Sequence, residues 1–283
     1  MKLIVQPDDG LAPLMKAIRG AKRSIEIVIF RFDRMELAKA LQAAVARGVV
    51  VRAVIAHSNS GGEKRLRKLE LQLLEWGCTV ARTADDLPRY HGKFLIVDDT
   101  LFVFGFNYTR LDLEKSRSFG LMTRETKLVK EARSLFEADR HRRPYSPTHD
   151  RFIVSPENSR ELLTGFIRKA KKQLLIYDAK VTDKLIHRVL LDRARAGVEI
   201  RVLGKLDKAP DTVHSRSISW AATGRDVSSV NESRNSRRLA LETNGADGCD
   251  AAQDDRPGQE DEADAHAITC APRSIRTACR GTS

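Results

Sequence analysis

Cysteine is scarce in this chain of 283 residues, and its four copies suggest no pairing. Cys78 stands alone in the body, while Cys249, Cys270 and Cys279 lie toward the C-terminal end at no metal-ligand spacing. Neither a disulfide framework nor a bound metal is expected, which points to a reducing, intracellular setting. Long apolar runs are also missing. No stretch reaches the roughly 18 apolar residues of a membrane span, so no transmembrane segment is expected. The opening Met1-Lys2-Leu3-Ile4-Val5-Gln6-Pro7 runs into Asp8-Asp9-Gly10 instead of an apolar core. No secretory signal is expected from that pattern, and the location read is cytoplasmic, at most peripheral to a membrane. Lysine, phenylalanine and tyrosine all stop before residue 209. A segment so poor in apolar and aromatic residues cannot bury enough surface to offset the cost of ordering it. Residues 208–283 are therefore read as a disordered or out-of-frame tail.

What remains is rich enough for two modest domains. The chain is 41% apolar and carries a net charge of +12. Residues 209–283 hold nine Arg against twelve Asp or Glu, a net of −3, so the first 208 residues carry +15. A basic body implies an anionic partner: nucleic acid, an anionic lipid surface or a phosphorylated small molecule.

Hydrophobic periodicity alternates between strand and helix. Leu3-Ile4-Val5 reads as a strand, and Leu11, Leu14, Met15, Ile18 and Ala21 as a helix face. Residues 24–30 read as a buried strand. Asp33 is placed to cap a helix whose face is Leu37, Leu41, Ala44 and Val45, and Gly48 ends it. A strand over 49–55, a helix over 63–76 and strands over 79–82 and 118–123 follow, with a helix through Leu128, Val129, Ala132, Leu135 and Phe136. Strands alternating with helices predict a layered α/β fold. Residues 143–150, with Pro144 and Pro147, read as a linker after a first domain over 1–142.

Beyond the linker the beginning repeats. Phe152-Ile153-Val154-Ser155-Pro156 echoes Leu3-Ile4-Val5-Gln6-Pro7, and Ala196-Gly197-Val198 echoes Arg47-Gly48-Val49, both at an offset of 149. Self-similarity over some fifty residues predicts a duplicated domain, its second copy partial over 151–207.

The chemistry concentrates in 89–109, which reads as a hairpin with a turn at Asp98-Asp99-Thr100 and three polar interruptions, His91, Lys93 and Asn107. Polar groups are costly inside a sheet unless something uses them. Residues two apart on a strand share a face, so His91 and Lys93 point together, and Gly92 leaves room between them. A three-residue turn returns Asn107 beside the His91–Lys93 segment. Asp98 has the opposite parity to His91 and is expected at the strand end, in turn geometry or support. An imidazole, an ammonium and an amide around one space suit a phosphate: a nucleophile or proton carrier, a cation and a neutral donor.

The spacing His91-x-Lys93-x4-Asp98, followed by Gly105 and Asn107, resembles the HKD motif of the phospholipase D superfamily. That resemblance implies a duplicated α/β sandwich over residues 1–207. It also implies a catalytic set of His91, Lys93 and Asp98, with Lys93 and Asn107 binding the substrate phosphate. His91 would attack the phosphorus of a phosphodiester to give a phosphohistidine, with no metal or other cofactor. A second histidine would protonate the leaving alcohol. The family includes phospholipases, phosphatidyl transferases and metal-independent nucleases, so the partner is a phospholipid or a nucleic-acid phosphodiester. A non-catalytic phosphate-binding remnant is the third reading. Three features depart from the family pattern. The small hydroxyl donor before the asparagine is missing in Phe104-Gly105-Phe106-Asn107. Lys115-Ser116-Arg117-Ser118-Phe119 offers no carboxylate to orient the histidine, leaving only Asp112 or Glu114 as a weak substitute (each more readily a solvated loop residue). The positions 149 beyond the motif hold Ala240, Glu242 and Asp247, so the second motif is absent. Single-motif members of the family form homodimers, which here would supply a second His91.

Overall fold

The computed structural model describes residues 1–58, 63–86, 90–178, 181–204 and 218–222. They fall into two compact units, Met1–Phe166 and a second that begins at Ile167. The chain has the mixed α/β fold expected of it.

The first unit runs β1 (Lys2–Gln6), α1 (Ala12–Gly20), β2 (Ser24–Ile29), α2 (Met35–Ala46), β3 (Val50–Ile55), α3 (Glu63–Glu75), β4 (Thr79–Arg82), β5 (Phe94–Val97), β6 (Thr100–Phe104), α4 (Arg110–Glu114), β7 (Ser118–Thr123) and α5 (Thr126–Arg140). Its seven strands form one sheet in the order β1-β7-β6-β5-β2-β3-β4. The pairs β2·β3 and β3·β4 are parallel, and the other four are antiparallel. Alternation in the strands separates two cores. Ile25, Ile27 and Ile29 of β2 join Val51, Ala53 and Ile55 of β3 in a cluster with Leu14, Ile18, Leu37 and Leu41 from α1 and α2. Val28 and Val54, of the opposite parity, join Phe94, Ile96 and the α5 residues Leu128, Val129, Ala132 and Phe136.

One residue of β2 breaks the apolar pattern. Glu26 is fully buried and lies in register with Arg52 of β3. Arg52 Nη2 donates to Glu26 Oε1 at 2.6 Å and Nη1 to Glu137 Oε1 of α5 at 2.7 Å. Its guanidinium carbon lies 5.9 Å from the centre of the Phe136 ring, and Arg133 approaches the other Glu26 oxygen at 3.7 Å. A buried charge persists only when paired, and here the pairing ties α5 to the centre of the sheet.

Two sequence expectations are corrected within this unit. Asp33 does not cap α2, whose N-cap is Arg34 with no side-chain capping bond. The Asp33 carboxylate instead accepts from the backbone N–H of Arg110 at 2.8 Å, serving the start of α4. The hairpin turn is also tighter than three residues. Val97 pairs with Thr100 and Phe94 with Val103, so only Asp98 and Asp99 lie in the turn, with Asp98 at φ 50°. That register sets Lys93 beside Phe104, whose N–H reaches the Lys93 carbonyl at 2.9 Å, and moves Asn107 past the strand end.

Segment 143–150 carries no helix or strand, yet it is fastened to α5. Glu131 accepts from the Tyr145 hydroxyl at 2.7 Å and from both the N–H and the hydroxyl of Thr148 at 2.6 and 2.7 Å.

The helix α6 (Ser159–Arg168) spans the point where the two units divide. The second unit contains β8 (Gln173–Tyr177), α7 (Lys184–Arg195), β9 (Glu199–Gly204) and β10 (Ile218–Ala222), in a parallel sheet ordered β10-β9-β8. Its register pairs Gln173 with Glu199, as Ser24 pairs with Val50 in the first unit, each residue displaced by 149. Gly48 and Gly197 carry the same φ of 84° just past the ends of α2 and α7, a left-handed position that favours glycine. The strand β10 falls inside the tail expected to lack structure. Ile218-Ser219-Trp220-Ala221-Ala222 is long enough to satisfy an edge of β9 but too short to show a period in the sequence. The remaining tail, including Ala240, Glu242 and Asp247, lies outside the described residues.

Candidate active site

Three segments meet where β2 ends, β5 begins and β6 has finished. Tyr108 holds them together. Its N–H reaches the Arg31 carbonyl at 3.2 Å, its carbonyl accepts from Asp33 N–H at 3.1 Å, and its buried hydroxyl donates to the Phe94 carbonyl at 3.1 Å. The end of β2, the start of β5 and the return of the hairpin are thus fixed to one another through backbone groups and the Tyr108 hydroxyl.

His91, Gly92 and Lys93 precede β5 instead of lying in it, which corrects the strand expected from residue 89 (itself outside the described residues). The side chains still converge. The His91 ring meets Phe30 edge-on at 4.5 Å between centres, and Lys93 Nζ lies 5.1 Å from the centre of the same ring. Lys93 is only 7% exposed, and its ammonium donates to the His91 carbonyl at 2.7 Å. Gly92 is tight as well: a Cβ there would sit 3.3 Å from Val28 Cγ1, so close packing explains the glycine between the two polar residues.

Asn107 is held by a residue the sequence marked only as a weak substitute carboxylate. Both its backbone N–H and its Nδ2 donate to Asp112 Oδ2 at 2.7 Å, while Oδ1 is buried and accepts no hydrogen bond. Thr109 caps α4 through a bond from Asp112 N–H at 3.3 Å, which sets Asp112 under Asn107. Glu114 is engaged elsewhere, by Arg34 and Arg110.

Asp98 works at the far end of β5. Its carboxylate accepts the backbone N–H groups of Lys22, Arg23 and Ser24 at 2.9, 2.8 and 3.0 Å. Burial pushes its carboxyl up, but the three N–H donors and the Arg23 charge outweigh that and hold it below the ordinary aspartate value. A depressed folded-state value means stability that is present above the unfolded pKa, near 4, and lost as pH falls through the folded one. Asp98→Ala is expected to lower unfolding free energy by about 2 kcal/mol at pH 7, with the deficit shrinking below pH ~4. Denaturant titrations at pH 7 and pH 3 check this.

Behind His91, Tyr90 is 8% exposed and its hydroxyl donates to Asp139 Oδ2 in the last turn of α5 at 2.7 Å. Burial drives the Asp139 carboxyl up to about 6 against the Tyr90 hydrogen bond, with Glu157 and Asp86 pushing the same way. A raised folded-state value costs stability as pH rises from the unfolded pKa through the folded one. Asp139→Asn is therefore expected to be more stable than the parent by about 1–3 kcal/mol at pH 8 and equal to it near pH 4. Thermal unfolding across that range reads the difference. Nothing in the spacing of Tyr90 and Asp139 announces the pair. The only sequence signal is a tyrosine immediately before the candidate nucleophile. Among the described residues, no group of three His, Cys, Asp or Glu side chains is placed to hold a metal ion.

The α/β sheet thus brings a histidine and a buried lysine together at one strand entrance, and the chain is similar to several known proteins. Residues 14–140 match the family model described as cardiolipin synthase, PLD-like domain. A mitochondrial cardiolipin hydrolase of Mus musculus is 28% identical over 124 residues, covering 44% of this chain and 54% of that protein. The Homo sapiens mitochondrial cardiolipin hydrolase is 27% identical over 169 residues, covering 59% of this chain and 64% of that protein. The chain thus spans between half and two-thirds of the length of these relatives. The crystal structure of polyphosphate kinase from Porphyromonas gingivalis is similar in fold, with a TM-score of 0.64 and 19% identity over 78% of this chain and 40% of that one. These likenesses support a phospholipase D superfamily domain over residues 14–140.

Proposed function

We propose that the protein is a phospholipase D-type phosphodiesterase acting on an anionic phospholipid. The observation that carries this reading is Lys93, a cation buried to 7% exposure and bonded to the carbonyl of the histidine beside it. A cation held beside a histidine suits the non-bridging oxygens of a phosphodiester. The names of the mouse and human relatives, cardiolipin hydrolases, favour a phospholipid as that diester.

In the proposed reaction a His91 ring nitrogen attacks phosphorus. A P–N bond forms, the P–O bond to the leaving alcohol breaks, and that alcohol takes a proton from an acid. Water, or an acceptor alcohol, then attacks phosphorus, gives its proton to the same group and releases His91. Lys93 neutralises the non-bridging oxygens. Asn107 gives one amide hydrogen to Asp112, which leaves the other for a phosphate oxygen. Asp98 supports the far end of β5 instead of touching substrate. The acid is His91 of a second copy in a homodimer, because the duplicated second domain carries no motif of its own. No described helix is long and apolar enough to cross a membrane, and substrate is met at the membrane surface.

The +15 charge of residues 1–208 favours a second reading, a nuclease. One assay separates the two. The protein is incubated in EDTA with cardiolipin or phosphatidylcholine vesicles, or with DNA, and its mass in solution is measured on the same sample. Turnover of lipid by a dimer is expected. Cleavage of DNA alone makes the nuclease reading correct. No turnover of either, with inorganic phosphate binding that depends on Lys93, leaves a phosphate-binding remnant.

A further inference from the structure

We propose that Tyr90 and Asp139 form a positioning clamp through which α5 sets the height of His91, an inference that rests on the phosphodiesterase reading above. The strand β5 is only four residues long, and α5 grips the chain at both of its ends. Beyond the C-terminal end, the guanidinium of Arg133 donates to the Asp98 carbonyl at 2.6 Å. Before the N-terminal end, the hydroxyl of Tyr90 reaches Asp139 Oδ2 at 2.7 Å. Between those grips, Ala132 and Phe136 of α5 pack in the same cluster as Phe94 and Ile96. The helix is thus a splint laid along the strand that leads out of the His91–Lys93 segment.

The Tyr90 ring also backs onto that segment directly. Its Cζ lies 3.9 Å from the position a Cβ on Gly92 would take, so the ring fills space against the peptide joining His91 to Lys93. The next carbonyl along, that of His91, accepts the Lys93 ammonium. Moving Tyr90 therefore moves the histidine backbone and the lysine together. Reactive geometry tolerates little such movement: a shift of about 1 Å can cost roughly 100-fold in rate.

The composition of the clamp argues against a purely packing role. A buried tyrosine–carboxylate pair is an expensive way to fill a core, since an apolar pair of the same shape is often neutral or better. The groups around Asp139 make it more so. Glu157 and Asp86 add negative charge, and burial opposes ionisation. A directional bond retained at that cost, one residue from the nucleophile, fits a positional role.

The test uses the full chain and bis(4-nitrophenyl) phosphate, a small diester that needs no remote binding. Tyr90→Phe and Asp139→Ala are each expected to lower kcat by about 10- to 100-fold with KM within about twofold. Asp139→Asn, which still accepts the tyrosine hydroxyl, keeps kcat within about threefold, and the double variant Tyr90→Phe/Asp139→Ala is no worse than the poorer single one. Hydrogen–deuterium exchange of peptides covering residues 90–93, read without any turnover, rises about tenfold in Tyr90→Phe and little in Asp139→Asn. A folded Tyr90→Phe with kcat within twofold of the parent, or with unchanged exchange, overturns the clamp. If Tyr90→Phe does not fold, Asp139→Asn against Asp139→Ala carries the same comparison. A parent protein that cleaves no diester would sink the phosphodiesterase reading, and exchange alone would then decide whether Tyr90 and Asp139 hold the segment.

Discussion

His91→Asn is expected to reduce diester turnover by at least about 10³-fold while leaving the midpoint of thermal unfolding within a few degrees of the parent. The size follows from the role proposed for His91. An amide cannot form the P–N bond, so its loss removes the covalent route instead of weakening one contact. The small structural effect follows from the surroundings. His91 lies outside β5, and an asparagine there keeps the backbone carbonyl that accepts the Lys93 ammonium. Lys93→Ala should be nearly as damaging to turnover, by about 10²-fold or more, since it removes the cation proposed to meet the developing charge. It should also cost stability, because the ammonium is bonded to the His91 carbonyl. Steady-state rates with one diester, alongside unfolding curves for each variant, separate the two effects. Full turnover by a folded His91→Asn would show that the nucleophile is wrongly assigned.

Arg52→Met is expected to destabilise the first unit by about 3–5 kcal/mol, more than any other single change considered. Glu26 is fully buried in the middle of the sheet, and Arg52 supplies its short contact at 2.6 Å; Arg133 stands off at 3.7 Å. Removing Arg52 leaves a carboxylate with no close partner in a place water cannot reach. The same change removes the bond to Glu137, one of the ties between α5 and the sheet. The cost belongs to the orphaned charge, not to the pair. Glu26→Leu combined with Arg52→Met should therefore recover most of the loss, since well-packed apolar replacements of a buried ion pair are often neutral or better. Chemical denaturation of the single and double variants measures both. A single variant as stable as the parent would mean that Arg133 moves in to replace the missing guanidinium.

Strand and helix identity was legible because the apolar spacing is strong: the helices over Leu14 and Ile18, over Leu37 and Leu41, and through Val129 and Phe136 all form. The parallel register of β8 and β9, displaced by 149 from that of β2 and β3, follows the sequence self-similarity closely. Asp33 was misread because a carboxylate before a helix can serve any nearby free N–H group, and in the fold the start of α4 is close by. The hairpin turn was misjudged by one residue because Asp98 takes a left-handed φ that its identity permits but does not announce. The strand β6 ends at Phe104, so Asn107 lies off the ladder and is held by Asp112. The Glu26–Arg52 pair and the Tyr90–Asp139 bond could not be read at all. Each joins segments far apart in the chain, and a lone buried charge within a strand gives no sign of which element will neutralise it.

The most direct test of the account is to trap the intermediate. The protein is mixed with a labelled diester and quenched in alkali within the first turnover, since a P–N bond is hydrolysed in acid, and its peptides are read by mass spectrometry. The account predicts a phosphoryl adduct on the peptide containing His91, absent from His91→Asn. Turnover with no adduct on that peptide, or an adduct on another residue, would contradict it.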